Sequence, residues 1–444
     1  MRCASLAVLL LVVTATPAAE PAVQRPLAEV LAGYIREALE ANLALRSQGF
    51  DVERELALLD EARSRFLPRV DLDARYSWAD GGREIFIPPD TSFQFLRERE
   101  QDTRLSLRQP LYAPAIPAAF RAQRATLDGS TWARQALARR LERDVTVAYL
   151  DWLRARASVA IVASSLALLE ENLRVNDSLY ANGRITQDQV LRARAELLEV
   201  RQQLREADNL TARNRQLVNF LRNQPLDAPL EEADVGGATG APVPGDDQAL
   251  RTSALDRRPE LRELEALEQA AGFQAQQQRA ARLPELSLGV DGGIQGEDYD
   301  FGTGYNFGVA SLQFRVPLFD GGAIRSRVDA AQAVARQAAT RREEAARQVE
   351  LEVQQAIDRL RTAADSLATA EARADAARAG FRIASSKRDL GVINQVDFLD
   401  ARNALTGAEL NLNVTRFALL SRQAELDYAT ATSPLPLTDG VTPR

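Results

Sequence analysis

Hydrophobic positions along this chain follow two rhythms, and each rhythm is written twice. From Val70 to Trp78 every second residue is apolar, with Val70, Leu72, Ala74, Tyr76 and Trp78 on one side and Asp71, Asp73, Arg75 and Ser77 on the other. Alternation with period two predicts a strand with one apolar face. Leu105 and Leu107, set against Arg104, Ser106 and Arg108, predict a returning strand. The second half repeats both: Leu286, Leu288 and Val290 oppose Glu285, Ser287 and Asp291, and Leu312, Phe314 and Val316 oppose Ser311, Gln313 and Arg315. Four strands of about ten residues are expected, long enough to cross a bilayer when tilted. Tyr76, Trp78, Phe86, Phe93 and Phe95 gather near the strand ends in the first half, and Tyr299, Phe301, Tyr305 and Phe307 in the second, as in an aromatic girdle. Four strands cannot close a barrel; three chains contributing four each can.

The other rhythm has a period of seven. Leu197, Leu204, Thr211 and Val218 form a ladder that recurs as Leu405, Leu412, Leu419 and Leu426, each 208 positions after its counterpart. The glycine turns Gly183-Arg184-Ile185 and Gly391-Val392-Ile393 keep that offset, so one unit is duplicated. Each half reads helix, strand, loop, strand, long helix, turn, helix. The long helices are expected from Pro110 to Gly183 and from Pro317 to Gly391, each on the order of 100 Å at 1.5 Å per residue. The ladders predict that the returning helices pack as coiled coils. A helix over about Thr186 to Arg222 is followed by residues rich in Pro, Gly, Ala and Asp, then by one helix over about Gln248 to Ala281. The implied organisation is a leader at 1–19, a first repeat at 27–223, a linker at 224–247 midway along the rod, a second repeat at 248–433 and a tail at 434–444.

Composition narrows the class. Only 6% of residues are aromatic, which favours long helices over compact cores. The net charge of −7 comes from interleaved Arg and Glu without a basic stripe, which argues against nucleic acid. Arg2, the apolar run Ala4 to Val13 and the small residues Ala15, Ala18 and Ala19 have the build of a cleaved secretory signal. The lone Cys3 precedes that run, so the mature chain is expected to carry neither disulfide nor lipid. No other apolar stretch is read as approaching the roughly twenty residues of a spanning helix, so strands would place the protein in a membrane. The chain has no histidine, which removes Ser-His-Asp and Cys-His catalysis and the common zinc sites. The carboxylates sit on helix surfaces against Arg, and nothing marks a hydrolytic pocket. No enzyme, cofactor or metal is expected.

The twin Pro-Leu-aromatic motifs at Pro110 and Pro317, with the run from Gly391 through Asp397-Phe398-Leu399-Asp400-Ala401-Arg402, carry a resemblance. Over about residues 27 to 433 the chain resembles the TolC-like outer-membrane efflux proteins. The resemblance implies a mainly α fold with β: a homotrimeric 12-stranded outer-membrane barrel, four strands per chain, continued by a coiled-coil tunnel through the periplasm. It implies a passive exit duct, in contact with outer-membrane lipid, for a tripartite efflux or type I secretion system with an inner-membrane transporter and a periplasmic adaptor. It further implies that Asp397 and Asp400, three apart on one helix face, line the periplasmic entrance as carboxylate rings that favour cations and respond to acid. The turns at Gly183, Arg184, Gly391, Val392 and Ile393 would be the exposed tips that meet the adaptor. The sequence departs from the family at the entrance latch, where Ile393 and Arg388 stand in place of an arginine and a tyrosine. Gln189, beside Asp188, stands in place of an acid. A periplasmic coiled-coil adaptor or scaffold is the rival reading; it would carry one hairpin where this chain has two. The cargo, polypeptide or small molecule, is left open by the sequence.

Overall fold

The computed structural model describes residues 25–432 apart from 82, 97 and 237–244, and it leaves out the side chains of residues 93–97 and 389. The expected leader with Cys3, the tail, part of the linker and the side chains of Phe93 and Phe95 therefore lie outside the described residues.

The elements run α1 Leu27–Ala41, α2 Leu43–Ser64, β1 Arg69–Trp78, β2 Arg83–Ile87, β3 Thr91–Leu96, β4 Arg99–Tyr112, α3 Ala115–Ala181, α4 Gln187–Leu221, α5 Asp247–Arg257, α6 Pro259–Ala280, β5 Glu285–Gly296, β6 Asn306–Arg315, α7 Ala323–Asp389 and α8 Gln395–Thr430. The two long helices have 67 residues each, about 100 Å of rise. They begin later than expected, because Pro110 belongs to β4 and pairs with Ser287, and α7 opens after Gly321 and Gly322, both at positive φ.

The four expected strands form one antiparallel sheet in the order β1-β4-β5-β6. Its register sets Leu72 opposite Leu105, Leu107 opposite Val290, Leu288 opposite Leu312 and Leu286 opposite Phe314. The alternating leucines of four separate segments thus merge into one apolar surface. Leu72, Leu312 and Phe314 are 70%, 65% and 67% exposed, which in a protein of this size needs an apolar solvent or partner. On the opposite face Asp71, Ser106 and Asp291 share a row, with the Ser106 hydroxyl donating to Asp291 at 2.6 Å. Within the first loop the structure adds a separate hairpin, β2 with β3, so six strands are described where four were expected. Phe86 lies on this hairpin and outside the main sheet.

Each expected entry helix is broken once, at equivalent places in the repeat. Asn42 ends α1 and caps α2, its side chain accepting from Ala44 N and Leu45 N and donating to Leu221 O. Arg258 ends α5, and Pro259 forces an extended backbone on it (ψ 118) before α6 starts. The single helix expected over Gln248 to Ala281 is therefore two.

The linker folds against the bundle. Pro26 bridges to Asp234, Arg25 pairs with Glu231, Tyr34 Oη accepts from Glu231 N at 2.8 Å and Tyr149 Oη donates to Glu231 O at 2.7 Å. Below this belt lies a core in which Tyr34 meets Tyr149 edge-on and Tyr149 stacks on Trp152. Both heptad ladders face inward: Leu197, Val218, Leu419 and Leu426 are buried. Contrary to expectation, α3 contains a stretch apolar enough by length and composition to cross a membrane. Val162 and Leu169 of that helix instead pack against Leu197 of α4 and Phe398 of α8.

Gly293 tests the sheet. A Cβ there would lie 2.1 Å from the Thr103 carbonyl oxygen, whereas one on Gly308 would meet nothing within 4 Å. Gly293→Ala should sharply lower the amount of protein extracted from outer membranes with detergent, and Gly308→Ala should leave it unchanged; equal yields would show that the β4–β5 approach is not what limits assembly.

Candidate functional site: the helical tip and the seam between hairpins

The end of the bundle farthest from the sheet is made by two turns of identical construction. At the first, Arg184 N donates to Leu179 O and Gly183 N to Tyr180 O; at the second, Val392 N donates to Lys387 O and Gly391 N to Arg388 O, all at 2.8–2.9 Å. This paired closure needs a left-handed residue after the helix, and Gly183 and Gly391 supply it at φ +66 and +70. The glycines are thus explained by geometry alone. Around them Arg184 and Val392 are exposed, as expected for tip residues. Ile393 is half-buried and packs against the cluster of Leu169, Leu197 and Phe398, so it is a core residue of the tip, contrary to expectation. Leu390, on the other side of Gly391 in the same expected turn, is 78% exposed.

Asp397 and Asp400 lie in the first turns of α8, both exposed. Asn394 caps this helix, accepting from Asp397 N at 2.8 Å, so an acid at position 397 also complements the helix N-terminus. Phe398 and Leu399, between the two acids, are buried and fix the orientation of that turn.

Behind the acids runs a polar seam that joins the first hairpin, α3 with α4, to the second, α7 with α8. Ser158, Ser165 and Asn172 step by seven along α3 and meet Asn413, Arg402 and Gln395 of α8. Asn413 donates to Arg154 O and to Ser158 Oγ, each at 2.9 Å. Arg402 donates to Ser165 Oγ at 2.7 Å and to the Glu196 carboxylate of α4. The amides of Gln395 and Asn172 meet at 2.8 Å. On its other side the Asn172 amide faces the guanidinium of Arg388; with its oxygen turned that way it accepts from Arg388 at 2.7 and 2.9 Å and presents its NH2 group to Gln395. Arg388 also stands 4.0 Å over the Phe398 ring, so it ties α7 to α3 and α8. Burial lowers the Arg402 pKa, against the opposing pull of Glu196. The seam was legible in principle as a heptad of small polar residues on α3, a signal overshadowed by the leucine ladder. Gln189 and Asp188 lie outside it.

The profile of the family described as outer membrane efflux protein matches residues 34–221 and 250–432. The chain belongs to that family. It is 24% identical over 402 residues to the toluene efflux pump outer membrane protein TtgF of Pseudomonas putida, covering 89% of this chain and 82% of TtgF. It is 25% identical over 393 residues to the alkaline protease secretion protein AprF of Pseudomonas aeruginosa, covering 82% and 77%. Among solved structures the fold is shared with the Campylobacter jejuni CmeC outer membrane channel, with a TM-score of 0.81 at 20% identity over 90% of this chain and 85% of that one. The long-helix, four-strand fold is thus that of the outer-membrane channels.

Arg402 is the most buried charge of the seam, with 2% of its side chain exposed against 21% for Glu196. Removing one partner of a buried pair costs about 3–5 kcal/mol, and the exposure of Glu196 reduces this to about 2–4 kcal/mol for Arg402→Ala. Glu196→Gln, which keeps an acceptor, should cost about 1 kcal/mol. Hydrogen exchange in the first turns of α8 reads the difference; unaltered protection in Arg402→Ala would mean that the bridge does not hold the hairpins together.

Proposed function

We propose that three copies of this chain form a passive exit duct, twelve strands making a barrel in the outer membrane and the helices a tunnel below it. The reading is carried by the open sheet: its apolar face is unpartnered and its two outer strands, β1 and β6, each offer a free edge, while hydrocarbon tolerates neither unpaired backbone nor an open sheet. In such a duct Asp397 and Asp400 form two rings of three carboxylates each just inside the entrance. Arg184, Leu390 and Val392 form the surface that meets a periplasmic adaptor, and the energy comes from an inner-membrane transporter. Relatives named for toluene efflux and for protease secretion stand at similar identity, which supports the duct and a cargo chosen by the partner transporter.

The protein extracted in mild detergent should have the mass of a trimer and give discrete, cation-preferring channels in a planar bilayer. A monomer that stays soluble without detergent would return the chain to the scaffold reading. Asp397→Ala/Asp400→Ala trimers should lose most of the cation preference; unchanged selectivity would remove the rings. Leu390→Asp with Val392→Asp should abolish export while trimers still insert, and export that persists would move the docking surface away from the tips.

A further inference from the structure

Two offsets relate the strands of the repeats. β5 follows β1 by 216 positions, as Leu67-Pro68 and Leu283-Pro284 show, and β6 follows β4 by 207, as Leu105 and Leu312 show. The pairing obeys the same offsets. In the first hairpin Arg69 pairs with Arg108 and Trp78 with Arg99; shifted, these become Glu285 with Arg315 and Ile294 with Asn306, which pair in the second. The two hairpins therefore share one register, and β4 with β5 is the join between them.

A second join of that kind is prepared at the free edges. β4 is flanked on both sides and β6 on one. Tyr112, which pairs with Leu286 of β5, is 50% exposed, whereas its counterpart Phe319 is 92% exposed. The extra exposure marks the place of a missing neighbour, and the strand that repeats β5 at the other edge of the sheet is β1.

We propose that β6 of one copy pairs with β1 of the next in the register that β4 and β5 use within the chain. The inference rests on the duct of several copies and adds the residues that close its barrel. Within the chain Leu107 lies opposite Val290, Ser106 opposite Asp291 and Arg108 opposite Gly289. Shifted by the two offsets, Phe314 lies opposite the partner's Ala74, Gln313 opposite the partner's Arg75 and Arg315 opposite the partner's Asp73. Arg315 then stands between two acids, Glu285 of its own chain and the partner's Asp73. A slip by one residue would turn Phe314 to the charged face. A slip by two in one direction would set Arg315 against the partner's Arg75, with like charges opposed; in the other direction it would meet the partner's Asp71, so charge leaves two registers and the repeat selects between them. One position departs from the template. Gly293, pressed against the Thr103 carbonyl, corresponds to Ser77, whose Cβ holds the strands farther apart at that end.

The test uses the full chain in outer membranes, with Cys3, its only cysteine, replaced by serine. Arg75→Cys with Gln313→Cys, and separately Asp73→Cys with Arg315→Cys, place thiols directly opposite each other across the join, at a Cα separation of about 4.5–5.5 Å that a disulfide spans. β1 and β6 of one chain lie three strand spacings apart, about 14 Å, so such a disulfide joins two copies. Mild oxidation should give disulfide-linked trimers in at least tenfold greater yield than Asp73→Cys with Gln313→Cys or Ser77→Cys with Gln313→Cys, whose thiols are two residues out of register and about 7–8 Å apart. Trimers of unchanged mass that link better through a displaced pair, or through none, would overturn the register and leave the duct standing. Chains that stay monomeric by mass in mild detergent would overturn both.

Discussion

Backbone N–H and C=O groups inside hydrocarbon have no water to bind, and this requirement governs the architecture. The inner strands β4 and β5 satisfy it on both sides within the chain, whereas β1 and β6 satisfy it on one side only. An isolated copy is therefore incomplete in a membrane. Each repeat contributes two main strands to one sheet, which makes β1 and β6, one from each repeat, the two edges to be joined.

The helical part distributes polarity differently within and between hairpins. Inside each hairpin the contact is apolar: Leu197 and Val200 pack with Val162 and Leu169, and Leu419 and Leu426 with Val353, Ile357 and Leu360. Between hairpins the polar seam from Asn413 to Gln395 runs beside apolar contacts made by Phe398, Leu399 and Phe417 of α8. Hydrogen bonds of this kind contribute only about 1 kcal/mol each, because water is the alternative partner, but an unmade one in a buried position is costly. Such a seam sets register more than it adds stability. The interface between the hairpins thus combines apolar packing with hydrogen bonds that can be exchanged for water.

The two repeats share a plan without sharing every detail. Both break their entry helix at the same place, one by the side-chain cap of Asn42 and the other by the backbone restriction of Pro259. Only the first carries the extra hairpin β2–β3 and the aromatic cluster of Tyr34, Tyr149 and Trp152. That cluster sits where the returning linker needs a platform, and the hydroxyls of Tyr34 and Tyr149 bind the two backbone groups of Glu231.

Periodicity alone determined much of this protein: the four strands with their apolar face, the two long helices, the inward ladders and the duplication follow from spacings of two and seven residues, which report only on local geometry. The glycine turns were legible because a left-handed residue is a local demand. The two acids near the second turn could be placed on one helix face by their spacing alone. Tertiary structure decided what depends on partners distant in sequence. It half-buried Ile393 and left Leu390 exposed, although both lie within two residues of Gly391, because Ile393 packs against the cluster of Phe398 and Leu390 does not. It also turned Arg402 into the bridge between hairpins, since only the crossing of α8 with α3 and α4 brings Ser165 and Glu196 within reach of its guanidinium.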